Sequence, residues 1–143
     1  MIGNEDMTDS ILIIENDAIV REGLASVLAK AGFAISTVPD YSAALLKLNQ
    51  LKADLVIVDA VLLSMDGIEA CQQIRSNLDI PVVLLGEDGR NEAWRRVMEC
   101  SDVHYQIKPF SYRILVARVK AILRRNKVWR TTDLQSKLIL FQG

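Results

Sequence analysis

The chain has 143 residues, half of them hydrophobic, and a formal net charge of −1. That is enough apolar material for one packed domain, and the near-neutral balance excludes a chain that grips a phosphate backbone by bulk electrostatics. No apolar run approaches the roughly 20 residues needed to span a bilayer, and the opening MIGNEDMTDS is polar and acidic, unlike a signal peptide. Two cysteines, Cys71 and Cys100, lack any metal-ligand spacing. They read as core or surface filler in a reducing compartment, so the expected location is cytoplasmic.

Residues 1–9 read as a disordered lead-in. Short continuous apolar runs follow at ILII (11–14), LVIVD (55–59) and PVVLL (81–85), rich in β-branched residues, as parallel strands covered on both faces are. Weaker strands are expected at FAISTV (33–38) and VHYQI (103–107). Between the first two strands, Val20, Leu24, Val27, Leu28 and Ala31 share one helical face, with Asp17 placed to cap the start and Gly32 the end. Further helices are expected over 41–51, 67–76, 90–100 and 111–125. Five β–α alternations with short connections predict a doubly wound parallel sheet, in which groups at the carboxyl ends of the strands converge on one crevice.

Those strand ends carry Glu15-Asn16-Asp17, Asp59, Gly86 and Lys108-Pro109. Acids and an amide at one rim suit Mg²⁺, which takes oxygen ligands in octahedral geometry. A carboxylate beside such a cation is a plausible acceptor nucleophile for a phosphoryl group. Lys108 would pair with it as a point charge, and Pro109 would set the backbone direction after it. Asp17 is read as a helix cap in preference to a metal ligand, and His104 as a partly exposed strand residue.

The segments ILIIEND, DLVIVDAVLLSMDGIEACQQIR, IPVVLLG and YQIKPFSYRILVARVKAILRR, in this order and spacing, resemble the receiver domain of two-component response regulators. The likeness covers residues 10–125, and the last segment is most similar to the OmpR/PhoB-like transcription-factor branch. The resemblance implies a flavodoxin-like (βα)5 fold with strand order 2-1-3-4-5. It implies Asp59 as phosphoacceptor, Lys108 as the site lysine, and Mg²⁺ held by Glu15, Asn16, Asp59 and the Val61 carbonyl. Asp66-Gly67 match the turn before the third helix, and Gly86 and Tyr105 match the two positions of the family's switch.

Three positions depart from the family pattern. Asn16 stands where a metal-binding aspartate is usual, Gly86 where a Thr or Ser hydroxyl is usual, and Leu63 where a loop proline is usual. Losing the hydroxyl removes a hydrogen bond to a charged group, worth roughly 1.5–3 kcal/mol. Losing the charge at position 16 weakens cation binding by up to about 4 kcal/mol at an effective dielectric near 20. It also lowers carboxylate repulsion, so the pocket is expected to stand without metal. The aromatic at Tyr105, which in the family moves with the hydroxyl, is expected to have lost its partner.

The resemblance further implies a homodimer through the helix over 90–100, the strand over 103–107 and the helix over 111–125. Glu99, Arg118 and Lys120 match charged positions of that face, while Trp94, His104 and Ile114 replace charges. A Trp94–Ile114 contact in place of an ion pair would be apolar and insensitive to salt. Arg118, Lys120, Arg124, Arg125, Lys127 and Arg130 fit a solvated helix end that complements the dipole. Residues 126–143 read as a linker toward a C-terminal effector domain, with the final FQG alternatively a cloning remnant.

The expected function is therefore an atypical receiver, the N-terminal regulatory part of a DNA-binding transcription factor. A sensor histidine kinase would be its phosphoryl donor, and DNA would be bound only through the separate effector domain. The alternative is a dimerisation or protein-interaction module that works without phosphorylation. An enzyme is not expected, since Val61 stands where a phosphatase of the aspartyl type would want a second carboxylate and no Gly-rich phosphate loop is present.

Overall fold

The computed structural model describes residues 8–62, 66–87, 95–96 and 99–142, with side chains as far as residue 127. Five strands, β1 (Ser10–Ile14), β2 (Ala34–Val38), β3 (Leu55–Asp59), β4 (Val82–Gly86) and β5 (Val103–Ile107), form one parallel sheet in the order β2-β1-β3-β4-β5. Helices α1 (Ala18–Lys30), α2 (Tyr41–Gln50) and α3 (Gly67–Asn77) and a C-terminal helix (Tyr112–Gln142) pack on it. The expected order and the doubly wound class are both present.

Alternation along the strands splits the apolar residues between two cores. Leu12, Ile14, Val56, Val58, Val82 and Leu84 join Tyr41 and Ala44 of α2 and Ala70, Cys71 and Ile74 of α3. Ile11, Ile13, Leu55, Ile57, Val83 and Leu85 join Leu24 and Leu28 of α1 and Leu115, Val119, Ile122 and Leu123 of the C-terminal helix. Both faces of the central strands are covered, which is why their sequences are continuous apolar runs without polar alternation.

Local signals set the element ends. The Asp17 carboxylate accepts hydrogen bonds from the Ile19 and Val20 N–H groups at 2.9 and 3.2 Å, making it the cap of α1. Gly32, at φ 104°, takes the left-handed position after that helix. Asp40 and Asp66 cap α2 and α3 in the same way, through the N–H groups of Ala43 and Ile68.

Two boundaries differ from the expectation. Asp9 lies within the segment read as lead-in, yet its carbonyl accepts from the Ala34 N–H at 2.9 Å and its carboxylate pairs with Lys127 at 3.0 Å. The last helix does not stop near residue 125 but runs through the segment read as a linker, because no Gly or Pro interrupts residues 112–142. The helix expected over 90–100 lies mostly outside the described residues, although Arg95 and Arg96 within it are helical. Leu63 and Trp94 lie outside them too, and with Trp94 the expected Trp94–Ile114 contact.

Gly67 fixes how closely α3 approaches the end of β3. Its N–H donates to the Ala60 carbonyl at 3.0 Å. A Cβ there would collide with the Asp59 carbonyl oxygen and lie 2.5 Å from Ala60 Cα. Gly67→Ala should therefore push α3 and the Asp59 backbone apart and destabilise the domain by about 1–3 kcal/mol, readable as a lower urea midpoint.

Candidate functional site

The sheet register assembles the site before any side chain is considered. Ile13 is paired with Ile57 and Ile14 with Val58, so the next step along each strand brings Glu15 beside Asp59. Asp59 is in turn paired with Leu85 of β4, and Gly86 with Ile107 of β5. The chain leaves β5 with the Lys108 N–H donating to the Gly86 carbonyl at 2.8 Å, and the Lys108-Pro109 peptide is cis. From there the lysine reaches back over the end of β4.

Lys108 Nζ lies 2.6 Å from Asp59 Oδ2, and the Val61 N–H donates to Asp59 Oδ1 at 2.8 Å. Both Glu15 and Asp59 are buried, 3% exposed each, and Oε2 of Glu15 has no hydrogen-bond partner among the described residues. These two are the buried charged side chains among the described residues. A pair of acids with one lysine cannot comfortably hold two negative charges away from water.

The titration of the pair follows from that conflict. Burial first, then the hydrogen bond and charge of Asp59, push the Glu15 carboxyl up to about 8, against the opposing charge of Lys108 and the Asp17 N–H. Burial pushes Asp59 up as well. For Asp59, however, the hydrogen bonds from Glu15, Lys108 and the Val61 N–H, with the lysine charge, together outweigh it and hold the carboxyl below its ordinary value. Of the two acids, Glu15 is thus the one driven toward its protonated form and Asp59, paired with Lys108, the one driven toward its ionised form.

The donors at this rim are all oxygen: the Glu15 and Asp59 carboxylates, the Asn16 amide in the half-buried β1–α1 loop, and the Val61 carbonyl. No cluster of three or more His, Cys, Asp or Glu is placed to hold a metal among the described residues. The set still fits a hard divalent cation, because the Glu15 oxygen without a partner among the described residues is a buried acceptor at an all-oxygen rim.

Sequence reasoning did not single out Arg21. Its guanidinium Nη1 donates to the Glu15 carbonyl at 2.8 Å, while the Glu15 N–H donates to the Val38 carbonyl at 3.1 Å. The backbone of the acid is therefore clamped from both sides. The only hint in the sequence was an arginine one turn into α1, which by itself reads as a solvated helix residue.

Gly86 and Tyr105 do come together, in a way the expectation of an uncoupled aromatic did not anticipate. The Tyr105 ring lies against Gly86, and its hydroxyl donates to the Glu87 carbonyl. The residues expected at a dimer face are spread over the β5 side of the molecule. His104 is half-buried with Nε2 3.0 Å from Asp102 Oδ1, and Arg118 donates to Gln106 Oε1 at 3.1 Å. Ile114, Glu99 and Lys120 are exposed.

Comparison with known proteins places this geometry. The sequence profile of the response regulator receiver domain matches residues 11–120, and the chain belongs to that family. The sensory transduction protein RegX3 of Mycobacterium tuberculosis (strain H37Rv) is 36% identical over 118 residues, 81% of this chain and 51% of that protein. The DNA-binding response regulator MtrA of Mycolicibacterium smegmatis is 35% identical over 123 residues, 86% of this chain and 54% of that protein. The chain thus spans about half the length of the curated relatives it matches. Among solved structures, a two-component response regulator from Clostridium difficile superimposes with a TM-score of 0.77 at 30% identity, covering 82% of this chain and 98% of that one. No helix among the described residues is long and apolar enough to cross a membrane.

The raised Glu15 carboxyl makes stability depend on pH with a definite sign. Between its ordinary value of 4.5 and about 8 the folded chain holds a proton that the unfolded chain has released. Stabilisation from this group is therefore full below pH 4.5 and is lost as pH rises through about 8. Asp59 acts oppositely, its contribution being lost as pH falls below its ordinary range. In urea titrations Glu15→Gln should flatten the decline between pH 5 and 8 and gain about 2 kcal/mol on the parent chain over that interval. A decline of equal slope in both chains would assign the proton elsewhere.

Proposed function

We propose that the chain is the regulatory receiver of a DNA-binding transcription regulator, with Asp59 as the phosphoacceptor and with weakened metal binding and switching. The observation that carries this reading is the buried Asp59 carboxylate, paired at 2.6 Å with Lys108 and flanked by Glu15 at the carboxyl end of a parallel sheet, a pairing that holds it below its ordinary value. An ionised oxygen is what attack on phosphorus requires. A sensor histidine kinase is the donor: its N–P bond breaks as the Asp59 O–P bond forms. Lys108 then exchanges its carboxylate partner for phosphoryl oxygens.

Glu15, Asn16, Asp59 and the Val61 carbonyl would hold Mg²⁺, which when bound supplies positive charge to the phosphoryl oxygens. Binding at this set must displace the proton that Glu15 keeps up to about pH 8. That requirement and the amide at position 16 both lower affinity at neutral pH. Gly86 offers no hydroxyl to the modified aspartate, so phosphorylation has one fewer contact with which to bias the fold.

The partnership with DNA is proposed through a separate effector domain, supported by the name of MtrA and by the half-length match to it. Residues 10–125 are the receiver body, and 126–143 lead toward that domain, the C-terminal helix continuing through them as far as Gln142. A homodimer is proposed through the segment over 90–100, β5 and the C-terminal helix, where Trp94, Ile114 and His104 take the place of charges and Glu99, Arg118 and Lys120 remain. A second reading, a dimerisation module used without phosphorylation, is favoured by Gly86 and by the protonated Glu15.

Incubation with acetyl phosphate across a Mg²⁺ titration, read by intact mass, should add one phosphoryl group to the parent chain and none to Asp59→Asn. Asn16→Asp should lower the Mg²⁺ concentration for half-modification by about tenfold or more. No adduct at any Mg²⁺ concentration would exclude the phosphoacceptor role and leave the second reading. Sedimentation of the unmodified chain at micromolar concentration separates a standing dimer from a monomer.

A further inference from the structure

Gly86 closes β4 on the sheet face that carries Val82 and Leu84, and Tyr105 stands on the neighbouring strand, paired with Leu84. A Cβ placed on Gly86 would run into the Tyr105 hydroxyl and would lie 3.0 Å from its Cζ and 3.1 Å from the Ala60 Cβ. The phenol ring therefore fills the volume that any side chain at position 86 needs. It is tied there by the hydroxyl, which donates to the Glu87 carbonyl, and it packs against the core of Val82, Leu84 and Val103.

A side chain at 86 and Tyr105 in this position exclude one another. The atom that must yield is the far end of a side chain that turns about χ1 once its bond to Glu87 is given up, so the ring leaves before the backbone moves. We infer that Gly86 sets Tyr105 inward in the unmodified protein. The Glu87 carbonyl and the adjoining edge strand β5 are thereby presented in one fixed arrangement, without any event at Asp59. Residue 86 acts here as a built-in setting of the β4–β5 surface. The inference rests on the receiver reading for the meaning of that surface but not on phosphoryl uptake, so the acetyl phosphate experiment can fail while this one succeeds.

The test uses the full chain labelled with 3-fluorotyrosine, whose three resonances, from Tyr41, Tyr105 and Tyr112, are assigned with Tyr105→Phe. In the parent chain and in Asp59→Asn the Tyr105 resonance should be single and shielded from solvent, with a small shift on exchange from H₂O to D₂O. In Gly86→Ala and Gly86→Thr it should move to the solvent-exposed position with a full isotope shift. A solvent-exposed Tyr105 in the parent, a shift in Asp59→Asn, or an unmoved resonance in both Gly86 variants would overturn the inference. Should either Gly86 variant fail to fold, Tyr105→Ala in the same chain relieves the collision. Recovery of a cooperative unfolding transition in the double variant supports the inference, and failure to recover shows that the obstacle is not Tyr105 and overturns it.

Discussion

The contact between Lys108 and Asp59 joins residues 49 positions apart and closes the carboxyl edge of the sheet. It brings the exit of β5 back across β4 to the exit of β3. A lysine and an aspartate in such a place gain little if both are wet and lose much if either is buried alone. Here Asp59 is buried and the lysine is one-third exposed, so the pair keeps a charged oxygen ionised at the mouth of an apolar sheet. That is the state from which a carboxylate attacks. The same pairing explains why the second acid, Glu15, holds a proton: one cation satisfies one carboxylate, and the register that sets Glu15 beside Asp59 leaves the remaining charge without compensation.

The substitution at position 16 takes on a different weight beside that proton. An aspartate there would add a third carboxylate to a rim that already protonates its second. Asn16 keeps an oxygen donor and spares the unmodified pocket that repulsion. Among the described residues it is Lys108 that offsets the charge of Asp59 in this rim. Arg21, clamping the Glu15 carbonyl from α1, fixes the acid's backbone from the helix side.

Much of the fold was legible because parallel strands covered on both faces write themselves as unbroken β-branched runs. LVIVD and VHYQI coincide with β3 and β5, and Asp17 stands at the cap of α1 where local hydrogen bonding puts it. The candidate site was legible for the topological reason that strand ends converge. What remained hidden depends on distances between elements. The proton on Glu15 follows from burial and register, neither of which a single strand displays. The C-terminal helix outran its expected end because a change in composition after residue 125 was read as a change in structure, although no helix-breaking residue occurs there.

Gly86 shows most clearly how a residue can be read correctly in place and incompletely in effect. Taken alone it is an absent hydroxyl, and the expected consequence is a loss. In the fold, absence of a side chain is also presence of volume, and the neighbouring strand carries a side chain of the right length to occupy it. Close packing forbids that volume from remaining void without cost, and the Tyr105 ring occupies it. The site and the β5 surface are then set by different residues, Asp59 and Lys108 on one side and Gly86 and Tyr105 on the other. Two such settings need share no equilibrium. A receiver built this way carries two settings side by side at the carboxyl edge of one sheet, the acid–lysine pair fixed by charge and the β5 surface beside it fixed by packing.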